Sequence, residues 1–519
     1  MKYANTAEIR AIDKILAKNT SPFRSFTPHE TLLRIAAGGV AEFVCEMCGE
    51  AVDKPDVFVV FGNGNNGADA MLAGFELRDR GFDVKFLAAM ARGEAKGFVM
   101  NFCKGLGDMD IDWMPVQGGW SDWHPKLARR GAVVIDGLLG IGISDPPRDG
   151  ARKAIGWMNA LKGRAKIVAV DVPSGFDPDG GGVAGGAQGD AVRADFTICM
   201  GPPKLGMNRQ DALQFCGSIY VNDLGMDEAA RNGIGGRVDS GGRGDELVAE
   251  CDVAPFFAPR RWDSHKGDFG HVCIVGGAPG YSGAPFLAAL GAARAGAGLT
   301  SVFSPEEALR YAPPAPAEVM AHALRGAVCD VDSLRGCGFS FAGKTVVAGP
   351  GMSRFAGARD AVLWLARESG AAAAVLDADA LNALDGDARA LVGASARLVI
   401  TPHPGEAARL LGTSAERVQA DRRAALASLV GATQAAVVLK GAGTLVSAPG
   451  EGIHQIACAN PGMAKGGMGD VLAGICGAHL ARGLRAFDAA RAAAWEHATA
   501  ADRAAWRLGH NAMQASDLK

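Results

Sequence analysis

Three stretches of the chain carry side chains whose types and spacing suit chemistry. The first is Asn460-Pro-Gly-Met-Ala-Lys-Gly-Gly-Met-Gly-Asp470, which follows an apolar run at 453–459 and opens onto a predicted helix over 471–480. Gly466, Gly467 and Gly469 let several backbone N–H groups point the same way. At a helix N-terminus those donors and the dipole favour an anion such as a phosphate. Asp470 beside such an anion hole suits a base that acts on a hydroxyl as a phosphoryl group arrives. The same residues read equally well as a Gly-rich turn with an Asp cap.

The second stretch is a set of polar groups after apolar runs in the C-terminal half: Asp377-Ala-Asp379, His403-Pro-Gly-Glu406 and Lys440-Gly-Ala-Gly-Thr444. The third lies in the N-terminal half, where Gly62-Asn-Gly-Asn-Asn-Gly-Ala-Asp69, Asp136 and Asp171-Val-Pro-Ser174 each end an apolar run. Gly62-x-Gly-x-x-Gly67 matches a dinucleotide fingerprint by letter, but the acid expected after the second strand is missing. Side-chain oxygens at Asn65, Asn66 and Asp69 stand in place of a bare glycine cradle. Each Asp is as readily a turn or cap residue. Several strand-end acids in one domain favour a site.

Those groups need elements to position them. Strands are predicted at 56–61, 83–88, 132–136, 166–171 and 195–200, with helices at 4–18, 30–50, 69–80, 95–105 and 151–161. The C-terminal half repeats the pattern, with strands at 271–275, 298–303, 345–348, 372–376, 397–400 and 436–439 and a helix at 285–296. Strand, glycine turn and helix in alternation imply a doubly wound α/β sheet, whose carboxyl-end loops meet in one crevice. The expectation is two α/β domains, a Rossmann-like doubly wound sheet over 1–225 and a second α/β domain over 253–519. A Gly-rich polar linker is expected over 226–252.

At 519 residues the chain is too long for one ordinary domain, and 48% hydrophobic with 21% charged residues describes a globular protein with ample core. A formal net charge of −3 argues against binding a nucleic-acid backbone. No secretory signal and no membrane-spanning run is read, so a cytoplasmic protein is expected. An odd, scattered set of 11 cysteines fits free thiols rather than a disulfide framework, and Cys45-x-x-Cys48 is read as core cysteines rather than as a metal site.

The N-terminal motifs, above all Asp171-Val-Pro-Ser-Gly175, resemble those of the NAD(P)H-hydrate epimerase (YjeF N-terminal) family over residues 1–225. The resemblance implies a potassium ion held by Asn66, Asp136 and Ser174. It implies that Asn65, Asn66, Gly67, Ala68 and Asp69, with Gly140, Ile141, Gly142, Ile143, Ser144, Asp145 and Pro146, line the substrate alongside Asp171, the proton-transfer group. The chain departs from the family pattern at Asn63, Ala68 and Ala70 and carries Pro146-Pro147. Ala68 is expected to weaken the site if its backbone needs positive φ.

The C-terminal motifs resemble the ribokinase-like ADP/ATP-dependent NAD(P)H-hydrate dehydratase (YjeF C-terminal) family over about 255–510. This implies a ribokinase-like fold, with ADP on Lys440, Gly441, Ala442, Gly443 and Thr444 and on Asn460, Pro461, Gly462, Met463, Ala464, Lys465, Gly466, Gly467, Met468 and Gly469. The hydrate, NADHX or NADPHX, would face Ala284, Gly351, His403, Pro404, Gly405, Glu406 and the base Asp470, with Mg2+ at the nucleotide. Lys465, where the family more often has Thr or Ser, is read as adding charge at the phosphate. The fused order resembles the bifunctional repair enzymes, which epimerise R and S hydrates and dehydrate the S form, ADP giving AMP and phosphate. A homo-oligomer is expected, with the Ala-rich helix near 285–297 buried in the contact. The rival reading is a ribokinase-like vitamin-precursor kinase fused to a non-catalytic binding module; a Rossmann oxidoreductase is disfavoured by the missing ribose-binding acid.

Overall fold

The computed structural model describes residues 1–19, 27–49, 53–91, 93–106, 111–113, 131–143, 145–186, 189–226, 245–313 and 316–518. The chain divides into two compact units, the first reaching Glu250 and the second running from Cys251 to Lys519, except that Ala457–Ala459 goes with the first. Most of the expected linker lies outside the described residues. Of the rest, β8 (Glu246–Leu247) bridges antiparallel to Lys2 and a short helix forms at Glu250–Val253.

The first unit is a sheet of β1 (Val57–Phe61), β2 (Val84–Ala88), β3 (Ile111–Trp113), β4 (Val133–Gly137), β5 (Lys166–Val170), β6 (Phe196–Met200) and β7 (Ser218–Asn222) in the order β3-β2-β1-β4-β5-β6-β7. Every pairing in it is parallel. Near-continuous apolar strands such as β1, buried along its whole length, belong inside such a sheet, covered on both faces. The strand order reverses beside β1, which puts a crevice at the carboxyl ends of β1 and β4. Helix Pro28–Cys48 begins with a reciprocal cap: Glu30 donates its N–H to Thr27 Oγ1 at 3.3 Å, and Thr27 donates its own to Glu30 Oε2 at 2.7 Å.

The second unit orders its strands β11 (Val319–Leu324), β10 (Leu299–Pro305), β9 (His271–Val275), β12 (Thr345–Ala348), β13 (Ala373–Leu376), β14 (Arg397–Ile400), β15 (Ala436–Leu439), β16 (Thr444–Ser447) and β17 (His454–Ile456). They are parallel through β15, after which β16 and β17 return antiparallel. Helix Met468–Ala481 is buried almost throughout and packs on helix Ala284–Arg294. A Cβ at Gly474 would lie 1.9 Å from Ala288 O, so the two backbones touch there and only glycine fits. That close approach within the unit requires small residues on the facing side of Ala284–Arg294, such as Ala288 and Gly291.

Among the described residues, no helix is long and apolar enough to cross a membrane. All 11 cysteines are free.

Candidate active sites

In the first unit, helix Asn65–Asp79 starts directly after β1, four residues earlier than the predicted 69–80, so Asn65 to Ala68 form its first turn. Ala68 therefore has ordinary helical backbone; it is absent from the positive-φ residues, and its methyl is buried. The expected strain does not arise. Ala70, the other departure, packs its methyl 2.2 Å from where a Cβ of Gly137 would be, so here alanine on one side is matched by glycine on the other. Asn63 ties the preceding turn down by donating from Nδ2 to Glu94 O at 2.8 Å and accepting from Lys96 N at 2.9 Å.

A cavity of about 920 Å³ opens beyond these elements. Asn65, Asn66, Asp69, Asp171, Pro146 and the 140–143 loop line it, as expected, with Asp145. Gly67 and Ala68 are buried and do not line it, and Ser144 lies outside the described residues. Arg10, Asp13 and His29, which the sequence did not single out, reach the cavity from the two N-terminal helices.

Under the cavity floor lies a polar cluster. Asp136 is fully buried and accepts from Ser174 Oγ at 2.6 Å and Ser174 N at 2.8 Å. Burial pushes its carboxyl up to about 6, against the lowering effect of those hydrogen bonds and of Leu138 N. Ser174 Oγ also accepts from Leu139 N at 2.8 Å, and Asn66 Nδ2 donates to Leu139 O at 2.9 Å. Asn66 Oδ1 is buried with no hydrogen-bond partner.

Asp171 holds a left-handed backbone, φ 65°, which a non-glycine residue adopts only where its surroundings impose it. Its Oδ1 accepts from Met200 N at 3.0 Å and pairs with Lys204 Nζ, whose side chain is completely buried. Burial alone would lower the Lys204 ammonium, but Asp171 and Cys199 outweigh it and hold it up at about 12. Asp69 has no such partner: its Oδ1 is buried and unpaired. Burial, then the charges of Asp171 and Asp13, push its carboxyl well above the ordinary range. Lys204 was missed because a lysine is expected at the surface; its place just past β6 in Gly201-Pro-Pro-Lys204 was the available signal.

In the second unit the carboxyl ends of β12 to β15 bring the predicted groups together. Lys440, after β15, pairs with Asp377, after β13, at 2.6 Å and stands 3.7 Å from Glu406. A Cβ on Gly469 would lie 3.2 Å from Lys440 Nζ and 3.5 Å from Asp377 Oδ2, so the start of helix Met468–Ala481 lies directly over this ion pair. Asp470, in that first turn, is raised to about 7 by burial, then by Asp377, with Asp379 and Glu406 adding to Asp377 and Lys440 opposing. Burial also raises Glu406, against Lys440. A carboxyl near 7 suits general-base work at neutral pH.

His403 caps helix Pro404–Leu411: its Nδ1 accepts from Gly405 N at 3.0 Å, while Glu406 Oε2 accepts from His403 N at 2.8 Å. Burial, then Lys440, lowers the imidazole, which keeps it neutral. Asp379 accepts from Ser353 N at 2.8 Å, and Ala378 between the two acids sits at φ 48°. Arg422 is buried behind Gly441 and donates to Leu439 O at 3.1 Å, Lys440 O at 3.3 Å and Gln419 Oε1 at 2.9 Å. A Cβ on Gly441 would be 2.7 Å from that guanidinium. Asn460 Oδ1 accepts from Gly462 N at 2.9 Å and its Nδ2 donates to Asp502 at 3.1 Å. Lys465 turns to the C-terminal segment. Its ammonium donates to Asn511 O and Met513 O, each at 2.6 Å, because those carbonyls lie within reach at the C-terminal segment.

Residues 272–519 match the family model described as NAD(P)H-hydrate dehydratase, and residues 29–206 match that described as YjeF-related protein N-terminus. The chain is 34% identical over 471 residues to the bifunctional NAD(P)H-hydrate repair enzyme of Coxiella burnetii, spanning 90% of this chain and 89% of that protein. It is 34% identical over 505 residues to the enzyme of the same description from Escherichia coli K12, covering 95% of this chain and 88% of that one. Among solved structures, an ADP/ATP-dependent NAD(P)H-hydrate dehydratase from Bacillus subtilis, co-crystallized with ATP and Mg2+, aligns over 53% of this chain and 94% of its own with TM-score 0.46 and 25% identity.

Proposed function

The chain belongs to the bifunctional NAD(P)H-hydrate repair enzymes, and from that premise we propose which residues of each unit carry the repair. The enzyme restores NAD(P)H from its hydrated forms by an epimerase activity and a nucleotide-dependent dehydratase activity. The kinase reading has no use for the first unit's acid-lined cavity.

In the second unit Asp470 takes the proton of the hydrate's hydroxyl as the oxygen attacks the terminal phosphoryl group of ADP. The backbone N–H groups of 466–469 and Lys440 stabilise the charge that develops on that group. Phosphate then leaves from the ring carbon in place of hydroxide as the nitrogen lone pair closes a C=N bond, and loss of a proton from the neighbouring ring carbon to solvent restores the dihydronicotinamide, with AMP and phosphate as the other products. The observation that carries this reading is Asp470, tuned to about 7 beside the Lys440–Asp377 pair at a helix N-terminus. Residues 440–444, with Gly441 backed by Arg422, and 460–469 hold the nucleotide, while His403 to Glu406, Ala284 and Gly351 face the hydrate. Lys465 acts indirectly, by anchoring the turn to the C-terminal segment. Among the described residues no three His, Cys, Asp or Glu side chains converge on a metal point, so a magnesium ion fits here only when carried on the nucleotide phosphates, with Glu406 reaching it through water. Bound there it would neutralise phosphate charge.

In the first unit the unpaired, buried Asn66 Oδ1 beside the Asp136–Ser174 pair fits a potassium ion, a hard cation that takes neutral oxygens with one carboxylate. Held there, the ion would fix the floor and offset the Asp136 charge. Asp171 transfers the proton at the cavity, and Asn65, Asp69 and the 140–146 loop hold the substrate.

The purified chain, given a mixture of hydrated NADH epimers, is expected to return all of the dihydronicotinamide absorbance when ADP or ATP is added. No return with either nucleotide refutes the dehydratase assignment. A return that halts near half of an even mixture refutes the epimerase assignment.

A further inference from the structure

Two of the acids that line the first unit's cavity, Asp69 and Asp171, differ in one respect. Asp171 rests on the buried Lys204 Nζ and accepts from Met200 N. Asp69 faces the same cavity from helix Asn65–Asp79 with a buried Oδ1 and no donor. Among the described residues, the other charged or titratable groups around the cavity are Asp13 and Arg10 from the first helix, His29 from the second, Asp145 and Arg148 from the loop after β4, and Cys199 beside Lys204. Among the described residues, the one cation bonded to either acid is Lys204, which pairs with Asp171.

The substrate sets what such a pair can do. Water added to the dihydronicotinamide ring places the hydroxyl on the carbon next to the ring nitrogen. We propose that Asp69 and Asp171 divide the epimerisation as acid and base, Lys204 being the positioning residue that fixes which is which. This rests on the epimerase reading and deepens it. Asp69 gives its proton to the hydroxyl; the C–O bond breaks, its electron pair leaving with water, and the nitrogen lone pair closes a C=N bond. A water molecule adds to the opposite ring face, the C=N π pair returns to nitrogen, and Asp171 takes the incoming proton. Solvent then carries that proton from Asp171 to Asp69, so atoms and charge balance over the cycle. Two carboxyl groups with separated roles are a general arrangement for exchange at a carbon bearing oxygen and a lone-pair neighbour.

The test begins with the unaltered full-length protein. One pure epimer is incubated without nucleotide in H2(18)O, and each inversion is expected to place one (18)O in the product. Inversion with the original oxygen retained would overturn the proposal by pointing to ring opening instead. If the wild-type chain does not interconvert the epimers at all, it is the epimerase reading that has failed. Asp69→Asn is expected to lose about 10²-fold or more of the epimerisation rate, with an unchanged melting curve and with dehydration of the S epimer intact. Lys204→Met is expected to move the acidic limb of the epimerisation pH profile upward, and Lys204→Arg to restore it. Full epimerisation by Asp69→Asn, or an unmoved profile in a folded Lys204→Met, overturns the assignment.

Discussion

Asp470→Asn separates what this residue does for catalysis from what it does to stability. The ionised carboxylate is disfavoured in the fold, raised by burial and by Asp377 from its ordinary value near 3.8 to about 7. A carboxyl raised on folding binds protons more tightly in the native state. Its cost to stability is therefore absent below the unfolded value, grows as pH rises from about 4 to 7, and is constant above. At about 1.4 kcal/mol per pH unit, that span corresponds to roughly 4 kcal/mol, and solvent screening of a partly exposed group brings it to roughly half. The isosteric amide carries no charge, so the variant should gain about 2 kcal/mol at pH 8, or roughly 4–8 °C in the melting of the second unit, and nothing at pH 4. Dehydration should fall by about 10²–10⁴-fold, with nucleotide binding and epimerisation retained. Calorimetry at the two pH values beside the absorbance assay reads both effects. A variant that keeps turnover, or one stabilised equally at pH 4 and pH 8, refutes the reasoning.

Other perturbations bear on single elements. Ala68→Gly, which would return the first turn of helix Asn65–Asp79 to the family pattern, is expected to leave the epimerisation rate unchanged and to lower stability by about 0.5–1 kcal/mol in denaturant titration; a faster enzyme would mean the alanine does strain the site. Lys465→Met removes the two bonds to Asn511 O and Met513 O. It should cost about 1–2 kcal/mol of stability with little change in the KM for ADP, whereas a large rise in that KM would place the ammonium on phosphate. Gly441→Ala forces a methyl against Arg422 at a backbone φ of 144°, and is expected to raise the KM for ADP while leaving epimerisation untouched, as steady-state kinetics on both activities would register.

The reach of the sequence ended where chain-distant groups meet. Apolar runs bounded by glycine and acids located β1, β4, β12, β13 and β15, because a strand buried on both faces leaves an unbroken pattern. With the strands located, parallel topology alone gathers Asp377, Lys440 and Glu406 at one end. Elements without that pattern were missed: β3 has three residues, and β11 is half exposed along Val319–Leu324. The first residues of helix Asn65–Asp79 looked like loop because Asn and Gly are poor helix formers in isolation, while burial against β4 decides their conformation. Arg10, Asp13 and His29 reach the cavity only through packing of the N-terminal helices, and Lys204 is buried by its pairing with Asp171; neither is local in sequence.

The central claim is that the hydroxyl of the hydrate becomes the oxygen of a phosphate ester before it leaves. The S epimer carrying (18)O in that hydroxyl, mixed for a single turnover with ADP and an excess of the Asp69→Asn chain, in which exchange at the first unit is disabled, tests it directly. Phosphoryl transfer assisted by Asp470 puts the (18)O into inorganic phosphate in step with the returned NADH. Label found in water, with unlabelled phosphate, would mean that elimination precedes any phosphoryl transfer and would contradict the mechanism.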